Sequence, residues 1–172
     1  MECKRETENS RKTKESGCLR LAVETDVDIL FDWANEPLVR KNSFSSKTIC
    51  YEEHKKWFEK LLENKNCRQY IYMYEGKEIG QARVTMNGEE AEIGYSICAK
   101  MRGQGHGSRL LQLVCRQVQQ DFPKVQKIVG RVKIDNLASQ KAFTKAGFEE
   151  TYTAFELQIS VNQKQGELEV QG

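Results

Sequence analysis

The sequence predicts an α/β chain. A central mixed, mostly antiparallel sheet of about six to seven strands carries about four helices on its two faces. Strand-like alternation and helical periodicity follow one another in the order β-α-α-β-β-β-α-β-α-β, without internal repeats. The middle strands are joined by tight turns, EGKE and then Asn87–Gly88, which favour antiparallel hairpins. The last strands alternate with helices, which makes the sheet mixed and puts helices on both faces.

In order, CLRLAV alternates as a strand, and TDVDILFDWAN reads as a helix that Thr25 caps and Pro37 closes. A polar loop, RKNSFSSKTI, leads to the helix YEEHKKWFEKLLEN, where His54, Trp57, Phe58, Leu61 and Leu62 share a face. RQYIYMYE, IGQARVTM and AEIGYSIC are strands. Leu111, Val114, Cys115 and Val118 form an i, i+3, i+4, i+7 stripe that runs a helix to about Asp121, and Pro123 stops it. KIVGRVKI is a strand, NLASQKAFTKAGF a helix ended by Gly147, and TYTAFELQIS a final strand. Residues 1–16 mix both charges with no hydrophobic pattern and read as a disordered tail. Residues 17–160 form one domain, and 161–172 a polar C-terminal tail.

Composition narrows the function. The 172 residues suit a single core, and 27 basic against 25 acidic side chains leave a net charge of +2 with the signs interleaved. No basic stripe implies nucleic acid, and no apolar run approaches the ~18 residues of a membrane span. The start has no apolar secretory segment, so a cytoplasmic location is expected. Six scattered cysteines without a Cys-x-x-Cys pair point to reduced, structural thiols, with no metal site and no disulfide framework.

The stretch MRGQGHGSRLLQLV places glycines 103, 105 and 107 just ahead of a helix, the composition of a phosphate cradle. It lacks the lysine and the four-residue spacing of a Walker A loop. It also lacks the third glycine and the strand-end acid of a dinucleotide fingerprint. It does satisfy Arg-x-x-Gly-x-Gly, with Arg102, Gly105 and Gly107 between a strand and a helix.

On these residues the chain resembles the GNAT superfamily of acetyl-coenzyme A dependent N-acetyltransferases. AEIGYSIC before the loop, and NLASQKAFTKAGF with Asn136, Ser139, Phe143, Gly147 and Phe148, resemble two further signature segments in matching order. The resemblance covers roughly residues 18 to 160. It implies that backbone N–H groups of Gly103, Gln104, Gly105, His106, Gly107 and Ser108 hold the coenzyme pyrophosphate, with the helix dipole behind them and no metal. Arg102 fixes the loop or reaches a phosphate. The acyl arm lies along Ser96, Ile97 and Cys98, where an N–H of Ile97 or Cys98 meets the thioester carbonyl. Asn136 would contact the arm from the other side, and Ser139 and Phe143 join it as expected cofactor residues.

Direct transfer to an amine needs a base, and Glu92 is the first candidate, His54 the second. His106 is a neighbour of the phosphates. The family often carries a tyrosine seven residues after the asparagine as proton donor. Here that position is Phe143, so either another donor such as Cys98 acts or the thiolate leaves unaided.

Residues 33–58 resemble bacterial sugar-nucleotide N-acetyltransferases of the pseudaminic acid pathway type, through Trp33-x-Asn35-x-Pro37-x-x-Arg40 and Glu52-x-His54. That resemblance implies a UDP-linked amino sugar as acceptor. Arg40 would meet a phosphate, Asn42 and Ser43 would meet sugar hydroxyls, and Trp33 or Phe44 would stack on a ring. Acetylation of ribosomal-protein N-termini is the enzymatic alternative, and a non-catalytic acetyl-coenzyme A sensor the alternative of another class. Monomer and homodimer both remain open.

Overall fold

The computed structural model describes residues 17–151. Its strands are β1 (Cys18–Leu21), β2 (Cys67–Tyr74), β3 (Lys77–Asn87), β4 (Glu90–Ile97) and β5 (Lys127–Val129), forming one sheet in that order. The first four run antiparallel, and β5 lies parallel to β4. The helices are α1 (Val27–Asn35), α2 (Pro37–Asn42), α3 (Tyr51–Glu63), α4 (His106–Asp121) and α5 (Leu137–Ala146). The α/β class and the mixed sheet are as expected, and the counts differ for identifiable reasons.

The described residues hold five strands, fewer than six to seven. KIVGRVKI pairs only over Lys127–Val129. At Gly130 the chain makes room for the Phe143 ring, since a β-carbon there would lie 2.1 Å from Phe143 Cζ. The expected final strand, beyond Thr151, and both expected tails lie outside the described residues. The extra helix is α2, because Pro37 opens a helix here instead of closing one. Proline suits the first helical position, and the Glu36 carboxylate accepts the Val39 N–H at 3.2 Å. Thr25 sits in a short 3-10 turn, Glu24–Asp26, and is no cap. Asp26 stabilises that turn, accepting from Val23 N at 2.8 Å and from both Arg20 guanidinium nitrogens at 2.7 and 2.8 Å.

The sheet buries both faces. Tyr70, Tyr72, Ala82, Val84 and Ile93 pack against Leu110, Leu111, Val114 and Val118 of α4 and Phe143 of α5. On the opposite face Ile71 meets Leu30 of α1 and Phe58 and Leu61 of α3. The alternation of β2, with Tyr70 and Tyr72 on one side and Ile71 on the other, distributes the two layers. Among the described residues no helix is long and apolar enough to cross a membrane.

Candidate active site

The site forms where the sheet splits. β4 pairs with β5 only over Glu90, Ala91 and Glu92, and parts from it beyond that point. On its other edge β4 stays paired with β3 through Ile97, and Cys98 N–H donates to Ile79 O at 2.8 Å. Antiparallel backbone groups alternate in direction, so the N–H groups of Ser96 and Cys98 face β3. Those of Tyr95 and Ile97 face the edge that β5 has left. This settles which expected donor stands free: the Cys98 N–H is committed to β3, and the Ile97 N–H points into the gap.

A cleft of about 430 Å³ follows the gap, walled by β4, α2, the glycine loop and α5. Gly103 (φ 76°) and Gly105 (φ 84°) adopt the left-handed region, and nothing lies within 4 Å of where a β-carbon on either would sit. Gly105 is the N-cap of α4 and supplies no side-chain cap, which leaves first-turn N–H groups facing the cleft. Gly107 serves close approach. A β-carbon there would come within 3.3 Å of the Tyr95 ring. Arg102, Lys141 and Lys145 line the cleft, and no Asp or Glu does so among the described residues. A bare loop, a free helix start and the Lys141 and Lys145 cations fit the pyrophosphate of coenzyme A. Among the described residues no cluster of His, Cys, Asp or Glu could hold a metal.

Most expected cofactor residues meet at the cleft: Ser96, Ile97, Arg102, Gly103, Gly105, His106, Gly107, Ser108, Asn136 and Ser139. Arg102 pins the loop. Its Nε donates to Ile97 O at 2.9 Å and its Nη2 to Glu36 Oε2 at 2.6 Å, and this guanidinium draws the Glu36 pKa down. Asn136 caps α5 by accepting from Ser139 N at 3.2 Å. His106 is buried beside Tyr72 and Tyr74, and burial lowers its pKa. Two expected members stand apart: Cys98 packs against the main core, and Phe143 lies inside that core against Tyr95 and Phe148. Gln104, expected for its backbone N–H, lies between Gly103 and Gly105, and its side chain donates to Lys100 O.

The expected bases also lie outside the cleft. His54 is buried among Phe31, Trp57 and Phe58, with Nε2 at 3.1 Å from Val27 O, and burial lowers its pKa. Glu92 sits where β4 and β5 are still paired, 3.5 Å from Arg131.

Of the expected acceptor residues, Asn42 lines the cleft and Phe44 is 69 % exposed. Trp33 packs against the α1–α3 core, so stacking on a ligand is not its arrangement here. Asn35 ties α1 to the next loop, accepting from Ile49 N at 2.8 Å and donating to Ile49 O at 3.1 Å. Arg40 is spent on its own segment, donating to Ala34 O, Ser45 O, Lys47 O and the Ser43 hydroxyl. Ser43 in turn donates to Val39 O at 2.7 Å.

The residues missed from sequence are Tyr95, whose pKa burial raises, and the cation pair Lys141 and Lys145. The pair had a signal: with Ala138 and Ala142 it follows i, i+3, i+4, i+7 spacing after Asn136, which places it on one face of α5.

A sheet split at a free N–H, running into a glycine-rich helix start, defines an acyltransferase that takes its acyl group from a pyrophosphate-bearing carrier. The chain belongs to the GNAT acetyltransferases: the family model described as an acetyltransferase (GNAT) domain matches residues 18–149. It is an acetyl-coenzyme A dependent N-acetyltransferase. No curated protein matches the sequence significantly. Solved structures share the fold. The aminoglycoside acetyltransferase AAC(6')-Ib, in complex with ribostamycin and coenzyme A, is 22% identical with a TM-score of 0.73, over 81% of this chain and 87% of that one. Spermidine N-acetyltransferase from Vibrio cholerae, with coenzyme A and spermine, is 17% identical with a TM-score of 0.73, over 84% and 88%. RimL, a ribosomal L7/L12 alpha-N-protein acetyltransferase, is 20% identical with a TM-score of 0.66, over 76% and 78%.

Proposed function

We propose that this enzyme acetylates the primary amine of a small anionic acceptor, a nucleotide-linked amino sugar of the kind its sequence resembles. The observation that carries this is the segment after α2. Phe44 is 69 % exposed between the exposed Lys41 and Lys47, two residues beyond Asn42 at the cleft. An exposed ring flanked by cations suits a nucleobase and its phosphates. A polycationic acceptor would instead meet the exposed Lys41 and Lys47 beside that ring.

The loop and α4 hold the coenzyme phosphates with Lys141 and Lys145, and the Tyr95 and Ile97 N–H groups align the acyl arm. Bound acetyl-coenzyme A supplies an activated acetyl group on a thiol whose pKa, near ~8.5 for an ordinary thiol, lets it leave as thiolate without a proton donor. That accords with a phenylalanine at 143. Glu92 shares a sheet face with Ser96, and between them Gly94 presents no side chain and open space. Glu92 takes the amine proton through water lying over Gly94.

The test is coenzyme A release, followed with a thiol reagent, across UDP-linked 4-amino sugars, free amino sugars, aminoglycosides, spermidine and ribosomal N-terminal peptides. Turnover confined to the UDP-sugars supports the proposal. Turnover confined to peptides moves the assignment to protein N-terminal acetylation.

A further inference from the structure

A row of hydrogen-bonded side chains crosses the sheet and ends in the cleft. Gln69 of β2 is 4 % exposed and donates from Nε2 to Gln81 Oε1 at 2.6 Å. Gln81 of β3 donates from Nε2 to Ser96 Oγ at 3.1 Å, and Ser96 lines the cleft. The register accounts for the row. Gln81 lies directly opposite both Ser96 and Ile71, and Ile71 belongs to the α1–α3 core, so Gln81 and Ser96 face that side of the sheet. Amides set into an apolar layer cost stability unless every group is satisfied, and satisfied they fix geometry more than they stabilise. What this row fixes is Ser96 Oγ. With one lone pair taken by Gln81, the hydroxyl keeps another for the cleft.

We propose that Ser96 Oγ receives the acceptor amine, accepting a hydrogen bond from its N–H, with Gln81 and Gln69 as positioning residues; this rests on the acetyltransferase activity described above. Two features support it. The free Ile97 N–H lies in the plane of the sheet, whereas the Ser96 side chain stands out of that plane, and a nucleophile adds to a carbonyl from outside the carbonyl plane. The cleft lining offers cations and no carboxylate, so the acceptors open to a neutral amine are neutral groups, and Ser96 Oγ is the one that the row orients. A carboxylate would instead favour the ammonium ion, whose nitrogen has no free pair. In the step itself a C–N bond forms, the C–S bond breaks with its electron pair leaving on sulfur, and the nitrogen proton leaves through water to Glu92. Ser96 keeps its own proton.

The experiment compares Ser96→Ala, Ser96→Thr, Gln81→Leu and the double variant Gln69→Leu/Gln81→Leu. Steady-state rates use the panel amine that the wild type acetylates fastest, calorimetry gives the coenzyme A Kd, and thermal unfolding reports stability. Ser96→Ala raises the amine KM about 3- to 10-fold, the worth of one hydrogen bond, while the coenzyme A Kd stays within about twofold. Ser96→Thr restores the amine KM. Gln81→Leu alone leaves the Gln69 amide unpaired and lowers the Tm. The double variant removes both amides, so it recovers the Tm while the amine KM stays high. A double variant that recovers both, or a Ser96→Ala enzyme with unchanged amine parameters, overturns the proposal. So does equal loss of coenzyme A and amine affinity. A wild-type protein that binds acetyl-coenzyme A but acetylates no amine overturns the activity itself, a pattern visible before any variant is made.

Discussion

Gly105 and Gly88 form a matched pair for testing the phosphate cradle. Both hold positive φ, 84° and 63°, and neither has an atom within 4 Å of the place a β-carbon would take. An alanine at either site therefore meets positive-φ strain and no clash. Left-handed backbone costs an L-residue roughly 1–2 kcal/mol. For a domain of this size that lowers the Tm by about 2–8 °C. The two positions differ in place, since Gly105 lines the cleft and Gly88 turns the β3–β4 hairpin. Gly105→Ala, but not Gly88→Ala, puts its methyl group into space needed by the coenzyme phosphates. Calorimetric titration with coenzyme A should show Gly88→Ala unchanged and Gly105→Ala weakened about 10–100-fold, or ~1.4–2.8 kcal/mol. Equal affinities in two variants that are destabilised alike would refute the cradle.

Arg102→Leu removes the bonds to Ile97 O and Glu36 and should cost about 2–3 kcal/mol in denaturant unfolding while raising the coenzyme A Kd. Burial holds the folded pKa of His54 below its usual 6.5, so the unfolded chain binds that proton more tightly and stability falls as pH drops through 6.5. His54→Phe should flatten part of that loss in melts between about pH 7 and 5, leaving the share of His106, whose pKa shifts the same way, and should not change the pH profile of kcat/KM. Glu92→Gln should reduce kcat about 100-fold near neutrality and recover as pH rises toward the pKa of the amine, measured in the coenzyme-release assay. The double variant Lys141→Ala/Lys145→Ala should weaken coenzyme A binding and reduce its salt dependence, read by titration at two ionic strengths.

Where local chemistry decides structure, the sequence was legible. The β3–β4 hairpin, the stripe of α4 and the Asn136 and Gly147 ends of α5 depend on residues close in sequence and are present. The hairpin turns at Gly88–Glu89, however, with Asn87 still in the strand. Pro37 misled because proline both ends and begins helices, and the choice rested on Glu36 and its distant partner Arg102. Arg40, Asn35 and His54 show a similar limit. Each has the chemistry of a binding residue, yet each is already occupied: Arg40 by carbonyls of its own segment, Asn35 and His54 by groups that the fold brings near. The Gln69–Gln81–Ser96 row needs the strand register, which two neutral amides far apart in sequence do not announce.

The split in the sheet has a further consequence. An unpaired strand edge is a template on which a neighbouring chain can add a strand, the usual route to aggregation. The edge that β5 leaves open on β4 spans only Ile93 to Ile97. Its terminal carbonyl, Ile97 O, is already taken by Arg102 Nε. The guanidinium that anchors the glycine loop thus also blunts the exposed end of the strand. One side chain thus both pins the glycine loop and occupies the last acceptor of the open edge.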